Sequence, residues 1–439
     1  MSDAPRVAYV NARIVDPASG FDGPGELLTT NGKIGAVGAK LFDDRIPEGV
    51  TVVDCGGKCL APGLIDMRVF VGEPGQEHKD TFASAGQAAA AGGITTFVTM
   101  PDTDPVVDDM AIVQYVARRA YETSPVNVLP MGAATKGMKG SEMTELGLML
   151  EAGAVGFTDG RHAIANPRVM MRILSYATTF DALIVQKPEE PTLAEDGCMN
   201  RGEIATRLGL IGIPAIAETI MIERDARLVG ETGGRCHMAQ VSCRASVEVI
   251  RRAKEIGLPI SCGASPENFG LNEQAIDSYR TFFKTSPPLR SEDDRQAIVE
   301  GIADGTIDVI VSNHDPQDQE SKRLPFAQAA YGAAGLETLL PIALEMVHNG
   351  KIKLIDLVAK MTIEPAKLLK IESGRLAPGA PADLIIFDPE QPWKIDATKL
   401  HSKSKNTPFD ERPVQGKVLR TVVGGETVFN SFTESASAA

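Results

Sequence analysis

The sequence is poor in aromatic residues and has no excess of positive charge. Aromatic residues make up 5% of the 439 residues, with a single tryptophan, so a platform for stacking nucleic-acid bases is not expected. Aspartate and glutamate outnumber lysine and arginine by 58 to 44, which gives a formal net charge of -14. Nucleic acids and anionic membranes attract proteins through clustered lysine and arginine. Both are therefore excluded as the main partner.

Long apolar segments are also missing. No run of about 18 apolar residues, the length that spans a bilayer, is present. The N-terminus has no apolar segment after a basic start, so we expect no secretory signal. The six cysteines are scattered without a CxxC pair, which predicts reduced thiols and a cytoplasmic protein. Cys55 and Cys59 form a CxxxC sequence, but no second cysteine or histidine pair nearby completes a zinc site.

The composition and the two ends of the chain predict the domain organisation. Hydrophobic residues make up 43% of the sequence, enough for a large core. Residues 1–60 and 376–431 contain short β-strand patterns separated by glycine. Two β-rich ends around an α/β middle at 61–375 predict one small discontinuous β domain. The polar residues 432–439 are expected to form a disordered tail.

The middle of the chain alternates apolar runs with amphipathic segments. The runs are predicted strands, and they end near Phe70, Thr99, Met131, Thr158, Lys187, Val241, Cys262 and Ser312. Predicted helices lie at 84–91, 110–121, 167–178, 245–255 and 293–303. Eight strand–helix repeats within about 250 residues are typical of a (β/α)8 TIM-type barrel. A doubly wound sheet is the alternative, but the turn after the first strand is VGEPG rather than GxGxxG.

Several short motifs are spread along the chain from about residue 6 to 430. They are PGLIDM at 62–67, EPGQEHKDT at 73–81, AAAAGGITTFVTMP at 88–101, PPLRS at 287–291, DGTIDVI at 304–310, GLET at 335–338 and GAPADLIIFD at 379–388. Together they resemble the motifs of dihydroorotases of the amidohydrolase superfamily. The first and last are shared with hydantoinases and allantoinases, whereas PPLRS and GLET favour the dihydroorotase branch. The resemblance implies an α/β fold in which a small β-sandwich domain, built from both termini, flanks the barrel.

The resemblance also implies a particular chemistry. Members of this family hydrolyse or close a cyclic amide with one or two zinc ions at the C-terminal ends of the barrel strands. Imidazoles and carboxylates hold the zinc, which lowers the pKa of its bound water to about 7. An aspartate after the eighth strand accepts and returns the proton.

This chain departs from that pattern after the first strand. The resemblance implies His-x-His there, followed two residues later by an arginine that binds a substrate carboxylate. The corresponding residues are Arg68, Phe70 and Gly72. Phenylalanine cannot ligate a metal, and Arg68 carries a fixed positive charge. Asp102 replaces an asparagine of the family, a change poorly suited to an anionic substrate.

The departures continue at the other strands. Asp159 stands where the resemblance implies a carboxylate that bridges two metals. Gln186 on strand five and Gln240 on strand six occupy positions of histidine ligands. Asn313 occupies the position of the catalytic aspartate and cannot act as a base. Gln317 replaces the last histidine on the substrate side.

All four histidine ligands and the general base are therefore substituted, although the motifs around them are intact. We predict that zinc is absent, that no other cofactor is bound and that the usual hydrolysis does not occur. The favoured interpretation is a dihydroorotase-like pseudoenzyme of pyrimidine biosynthesis. Inactive homologues of this kind pair with aspartate transcarbamoylase as structural subunits. The resemblance thus implies that partner, in a homodimer or a larger hetero-oligomer.

Two alternatives remain open. A divergent active hydrolase of the dihydroorotase or hydantoinase type would need a rebuilt mononuclear metal site, drawn from Asp159, His162, His237, His314 and Asp315. A small-molecule sensor would instead use the old substrate pocket. Metal analysis tests the first alternative, and a thermal shift with dihydroorotate or carbamoyl aspartate tests the second.

The loss of a metal has an electrostatic consequence at this site. Removing a divalent cation leaves a carboxylate without compensation, which costs several kcal/mol if the group is buried. Arg68 appears as a new cation near the position of a lost ligand. We therefore predict an ion pair between Arg68 and Asp159.

Overall fold

The computed structural model describes residues 6–42 and 46–432. Within them the strands are β1 (Val7–Asp16), β2 (Phe21–Thr30), β3 (Lys33–Gly38), β4 (Thr51–Asp54), β5 (Cys59–Pro62), β6 (Leu64–Val69), β7 (Ile94–Thr99), β8 (Asn127–Pro130), β9 (Leu183–Gln186), β10 (Met199–Asn200), β11 (Gly212–Ile213), β12 (Arg235–Met238), β13 (Ile260–Ala264), β14 (Val309–Ile310), β15 (Leu384–Lys394), β16 (Pro413–Val423) and β17 (Glu426–Asn430). Of the predicted tail at 432–439, residues 433–439 lie outside the described residues.

The α-helices alternate with the strands of the middle region. They are α1 (Phe82–Ala91), α2 (Met110–Thr123), α3 (Leu146–Glu151), α4 (Pro167–Ala177), α5 (Pro191–Ala194), α6 (Glu203–Leu208), α7 (Ile216–Thr232), α8 (Arg244–Glu255), α9 (Pro266–Gly270), α10 (Glu292–Ala303), α11 (Gln319–Lys322), α12 (Leu339–His348), α13 (Leu354–Ala359) and α14 (Ile363–Leu369). In the part of the chain described, no helix combines the length and apolar character needed to cross a membrane.

Both ends of the chain contribute to one β-sheet. Its strand order is β17-β16-β15-β5-β1-β2-β3, and β4 also pairs with β1. The two ends meet where β5 pairs antiparallel with β15, with Leu60 opposite Ile386. The side chains of Tyr9, Ile14 and Leu27 pack with these two residues in one buried cluster. The predicted β domain from both termini is therefore confirmed.

The middle region forms the predicted (β/α)8 barrel. Strands β6, β7 and β8 are parallel, and β9, β12, β13 and β14 form a second parallel group. Phe157 bridges Gly132 on one side and Ile184 on the other, so it represents the fourth strand position. Val69 pairs with His314 and connects the first strand to the eighth.

The helices begin at residues that suit helix N-termini. Asn166 accepts hydrogen bonds from the backbone N–H groups of Arg168 and Val169 at the start of α4, and Pro167 fixes the first helical turn. Ser291, the last residue of PPLRS, forms a capping box with Asp294 at the start of α10. Each of the five predicted helical segments corresponds to a helix of the structure within two residues at either end. These helices surround the barrel and leave the C-terminal ends of its strands accessible to loops.

Candidate functional site

The C-terminal ends of the barrel strands surround a small cavity. Arg68 lies on β6 and Phe70 follows that strand, Asp102 follows β7, and Asn313 follows β14. Met100, Arg161, His314 and Asp315 complete the lining. The volume of the cavity is about 10 Å³, roughly what one water molecule needs. The structure therefore brings six of the predicted site residues together, four of the substituted positions and two of the alternative metal set, around a cavity that is almost filled.

An ion pair fills most of this region. The guanidinium of Arg161 donates to Asp315 from Nε (3.0 Å to Oδ2) and from Nη2 to Oδ1. Its central carbon lies 4.0 Å from the centre of the Phe70 ring, in cation–π contact. Gln317 donates to the same carboxylate, with its Nε2 2.7 Å from Oδ1. Residues at three predicted positions thus pack into one polar cluster around Arg161.

Arg161 is a residue that the sequence reasoning missed. It follows the fourth strand position, two residues after Asp159. Burial by itself would lower the pKa of its guanidinium, but the Asp315 and Asp102 carboxylates outweigh that effect, and the pKa is raised. An arginine in the loop after a barrel strand was the available signal, because such loops face the C-terminal mouth.

Among the described residues, only one of the two carboxylate oxygens of Asp102 accepts a hydrogen bond. Its Oδ2 accepts a hydrogen bond from the backbone N–H of Arg161 at 2.8 Å. Its Oδ1 is buried and has no hydrogen-bond partner among the described residues. A Cβ on Gly160 would lie 1.7 Å from that Oδ1, and the φ of Gly160 is +59°. Only glycine fits this position without a shift of Asp102.

The predicted ion pair between Arg68 and Asp159 is wrong. Arg68 donates from Nε to Oδ1 of Asn313 at 3.2 Å, and Asn313 donates from Nδ2 to the carbonyl of Ser286. Asp159 accepts hydrogen bonds from the backbone N–H and the hydroxyl of Thr135. Both of its oxygens are satisfied there, so the carboxylate does not need Arg68. Burial raises the pKa of Asp159 and lowers that of Arg68.

Three other predicted positions do not line the cavity. Gln186 is turned away: its Oε1 accepts from the backbone N–H of Ile164, and its Nε2 donates to Asp225. Gln240 is buried, and its Nε2 has no hydrogen-bond partner in the described part of the chain. Gly72 has a φ of +81°, and a Cβ there would lie 2.9 Å from the carbonyl oxygen of Gln76. Its role in the structure is a tight turn.

The alternative metal set is not assembled. His314 contacts Oδ2 of Asp80 through Nε2 at 3.1 Å and accepts from the backbone N–H of Gly335 through Nδ1. His237 is buried against the Ser261 hydroxyl, and burial lowers its pKa to about 3. His162 is exposed. Across residues 6–42 and 46–432, no three His, Cys, Asp or Glu side chains are grouped as a metal site would require.

A second cavity of about 430 Å³ opens outside the Arg161–Asp315 pair. Arg68, Lys187 and Lys284 contribute to its walls. The amine of Lys284 donates to the carbonyl of Ala327 and lies 4.5 Å from the centre of the Tyr331 ring. The sensor alternative, in which a ligand binds in the old substrate pocket, stays a prediction.

The fold and the position of these residues define an amidohydrolase-type barrel. The structure superimposes on the L-hydantoinase (dihydropyrimidinase) of Arthrobacter aurescens with a TM-score of 0.88 at 27% sequence identity, over 97% of this chain and 96% of that one. A dihydropyrimidinase from Brevibacillus agri gives a TM-score of 0.84 at 21% identity, which shows the common fold.

Sequence comparison gives the family. A profile described as Dihydro-orotase-like matches residues 57–246, and one described as Amidohydrolase family matches 189–428. A protein named Dihydroorotase from Anaplasma phagocytophilum is 43% identical over 97% of this chain and 95% of its own length. Another from Syntrophus aciditrophicus is 40% identical over 97% and 99%. The chain belongs to the dihydroorotase family of amidohydrolases.

The residues present do not fit the zinc that this family usually binds. Four residues occupy the positions at which the family has histidine ligands. They present a guanidinium, a phenyl ring and two carboxamides: Arg68, Phe70, Gln186 and Gln240. Zinc sites in proteins use thiolate, imidazole and carboxylate donors. Of the carboxylates nearby, Asp315 is bound to Arg161 and Asp159 to Thr135, and the one unpartnered oxygen of Asp102 is a single donor. Two fixed guanidinium charges add electrostatic repulsion against any cation.

Proposed function

We propose that this chain is a non-catalytic dihydroorotase homologue that acts in pyrimidine biosynthesis. The observation that carries the proposal is the Arg161–Asp315 pair, which lies over Phe70 where a hydrolytic centre would need space for metal and substrate. The relatives named Dihydroorotase are 40–43% identical to it, which supports a role related to theirs, whereas the substituted centre argues against catalysis.

Proton transfer is the second difficulty for the usual reaction. The position of the general base is Asn313, whose side chain has no titratable proton at neutral pH. Its Oδ1 already accepts from Arg68, and its Nδ2 donates to the carbonyl of Ser286. Asp315 is the nearest carboxylate in sequence, and two hydrogen bonds from Arg161 hold it as an acceptor. A base must be free to take up a proton, and neither group is.

The experiment combines metal analysis with activity on the purified chain. We expect less than stoichiometric zinc, no ring closure of carbamoyl aspartate and no ring opening of dihydroorotate. A metal-containing dihydroorotase assayed in parallel is the positive control. Turnover that a chelator abolishes and zinc restores would overturn the proposal.

For the partner, we propose aspartate transcarbamoylase, with this chain as a structural subunit in a homodimer or a larger hetero-oligomer. An intact barrel keeps its outer surfaces when its centre no longer reacts, because fold and function are separable. Exposed apolar side chains lie on α5, before β11 and on α7, and α5 contacts both β11 and α7: Leu193, Ile211, Ile216 and Ile220. Exposed apolar patches of this kind are typical of protein interfaces.

The partner proposal is tested by co-purification and by light scattering of the assembly. We expect aspartate transcarbamoylase to travel with the wild-type chain, and Ile216→Glu with Ile220→Glu to release it or to dissociate the oligomer. Ile256→Glu is the control, because Ile256 is 75% exposed at the C-terminal end of α8. A monomeric wild-type chain that does not bind the enzyme would contradict the proposal.

A further inference from the structure

A strongly basic cavity lies beside the barrel mouth of this acidic chain. Its volume is about 430 Å³, and Lys322, Arg323, Lys403 and Lys405 contribute to its walls, together with a single carboxylate, Asp318. The chain as a whole has a net charge of -14. Within the described residues none of these four cations forms an ion pair, and their amines and guanidinium contact carbonyl or amide oxygens instead.

Lys322 supplies a positive charge at the back of the cavity. It is 4% exposed, and its Nζ donates to the carbonyls of Thr281 (3.1 Å), Lys284 (3.4 Å) and Ala330 (2.7 Å). An ammonium group has three protons, so all of them are used. Burial lowers the pKa of Lys322 to about 7, so near neutral pH this amine is only partly charged, and a bound anion would favour its charged form.

The other three cations keep donors free for a ligand. Lys403 donates one hydrogen bond, to the carbonyl of Glu77 at 2.6 Å, which leaves two protons. Lys405 donates to the carbonyls of Leu400 and Ser402, which leaves one. Arg323 donates from Nη2 to Oε1 of Gln319 at 2.9 Å and keeps its remaining N–H groups.

We infer that this cavity binds a small multivalent anion of the phosphate class. Arg323, Lys403, Lys405 and the partly charged Lys322 face one carboxylate, Asp318, so an anion with two or more negative charges would balance them. The volume is in the range of small-molecule sites. Two segments that are far apart in sequence supply the cations, at 322–323 and 403–405, so the arrangement belongs to the folded chain. The inference goes beyond the proposed function and does not depend on it.

Calorimetric titration of the full chain with pyrophosphate tests the site. We expect saturable binding, and about tenfold weaker binding for Arg323→Gln and for Lys403→Gln, the size expected for one lost charged hydrogen bond. Both residues are exposed, so the variants should fold, and unchanged melting temperatures would verify this. Lys403→Arg keeps the charge and should retain most of the affinity.

The control is Lys351→Gln. Lys351 is exposed at another cavity of about 420 Å³, where Glu345 is also present, and its substitution changes the net charge by the same amount. We expect no change in affinity. An equal loss in the control, or citrate binding as tightly as pyrophosphate at the same ionic strength, would show general charge attraction and overturn the inference. Absence of saturable binding to the wild type would do so as well.

Discussion

Arg161 and Asp315 form a two-point ion pair across the barrel mouth, although 154 residues separate them in the sequence. The pair places a guanidinium on the face of Phe70, at a position where the family resemblance implies a metal ligand. Asp102 accepts from the backbone of the same arginine. The positive charge that balances the carboxylates of this centre is thus an arginine side chain of the chain itself.

Breaking this pair should destabilise the protein. We expect Arg161→Met to lower the free energy of unfolding by about 1–3 kcal/mol, because the largely buried Asp315 loses its charged donor and Asp102 loses a nearby positive charge. A third of the Arg161 side chain is exposed, which keeps the loss below that of a fully buried pair. Urea unfolding measures it. Arg207→Met, in an exposed pair with Asp277, is the control and should change stability by less than about 0.5 kcal/mol; equal losses would contradict the assignment.

Substitution of Gly160 should be disfavoured both by a side-chain clash and by its backbone conformation. Gly160→Ala adds a Cβ that meets Oδ1 of Asp102, whereas Gly209→Ala adds one in open space at a similar φ of +67°. Backbone strain alone costs about 1–2 kcal/mol, so we expect that loss for Gly209→Ala and about 1–3 kcal/mol more for Gly160→Ala. Chemical unfolding of both variants checks this. A similar loss in the two variants would mean that Asp102 moves freely aside.

The sequence predicted the architecture because its determinants are local. Apolar runs specify the buried barrel strands, and Asn166 and Ser291 specify where two helices begin. The β-rich ends predicted a shared domain, and the pairing of β5 with β15 agrees with that prediction. These signals act over a few residues or through a simple pattern, so they can be recognised in a single sequence.

The contacts of the centre could not be predicted in the same way. Arg161 reaches Asp315 only because the fourth and eighth strand positions face the same mouth, and Gln186 turns toward Asp225 on α7 instead of into the cavity. Asp159 binds Thr135, a hydroxyl residue of the loop after β8, rather than the predicted Arg68. Side-chain direction and competing partners decide such contacts, and neither is visible in residue spacing.

Chelation should leave the stability unchanged. A metal held by the folded state at 100 times its dissociation constant stabilises by about 2.7 kcal/mol, and its removal lowers the melting temperature by several degrees. We expect EDTA to shift the melting temperature by less than about 1 °C, because Asp159 and Asp315 are bound to Thr135 and Arg161 and the histidine ligand positions hold no imidazole. Differential scanning calorimetry measures the shift. A drop of several degrees that added zinc reverses would reveal a metal site.

His237 should make the protein less stable in mild acid. Burial lowers its pKa from 6.5 to about 3 in the folded chain, so between these values the unfolded chain binds the extra proton. Stability is therefore lost as the pH falls below about 6.5, by about 2 kcal/mol at pH 5. His237→Asn gives the Ser261 hydroxyl an amide partner and removes the titrating ring. We expect the unfolding free energy of this variant to fall by about 2 kcal/mol less than that of the wild type when the pH is lowered to 5. Urea unfolding at pH 7.5 and 5 measures both proteins, with His162→Asn at an exposed position as the control. Identical pH dependence in the His237 variant and the wild type would show that the ring is protonated in the folded chain.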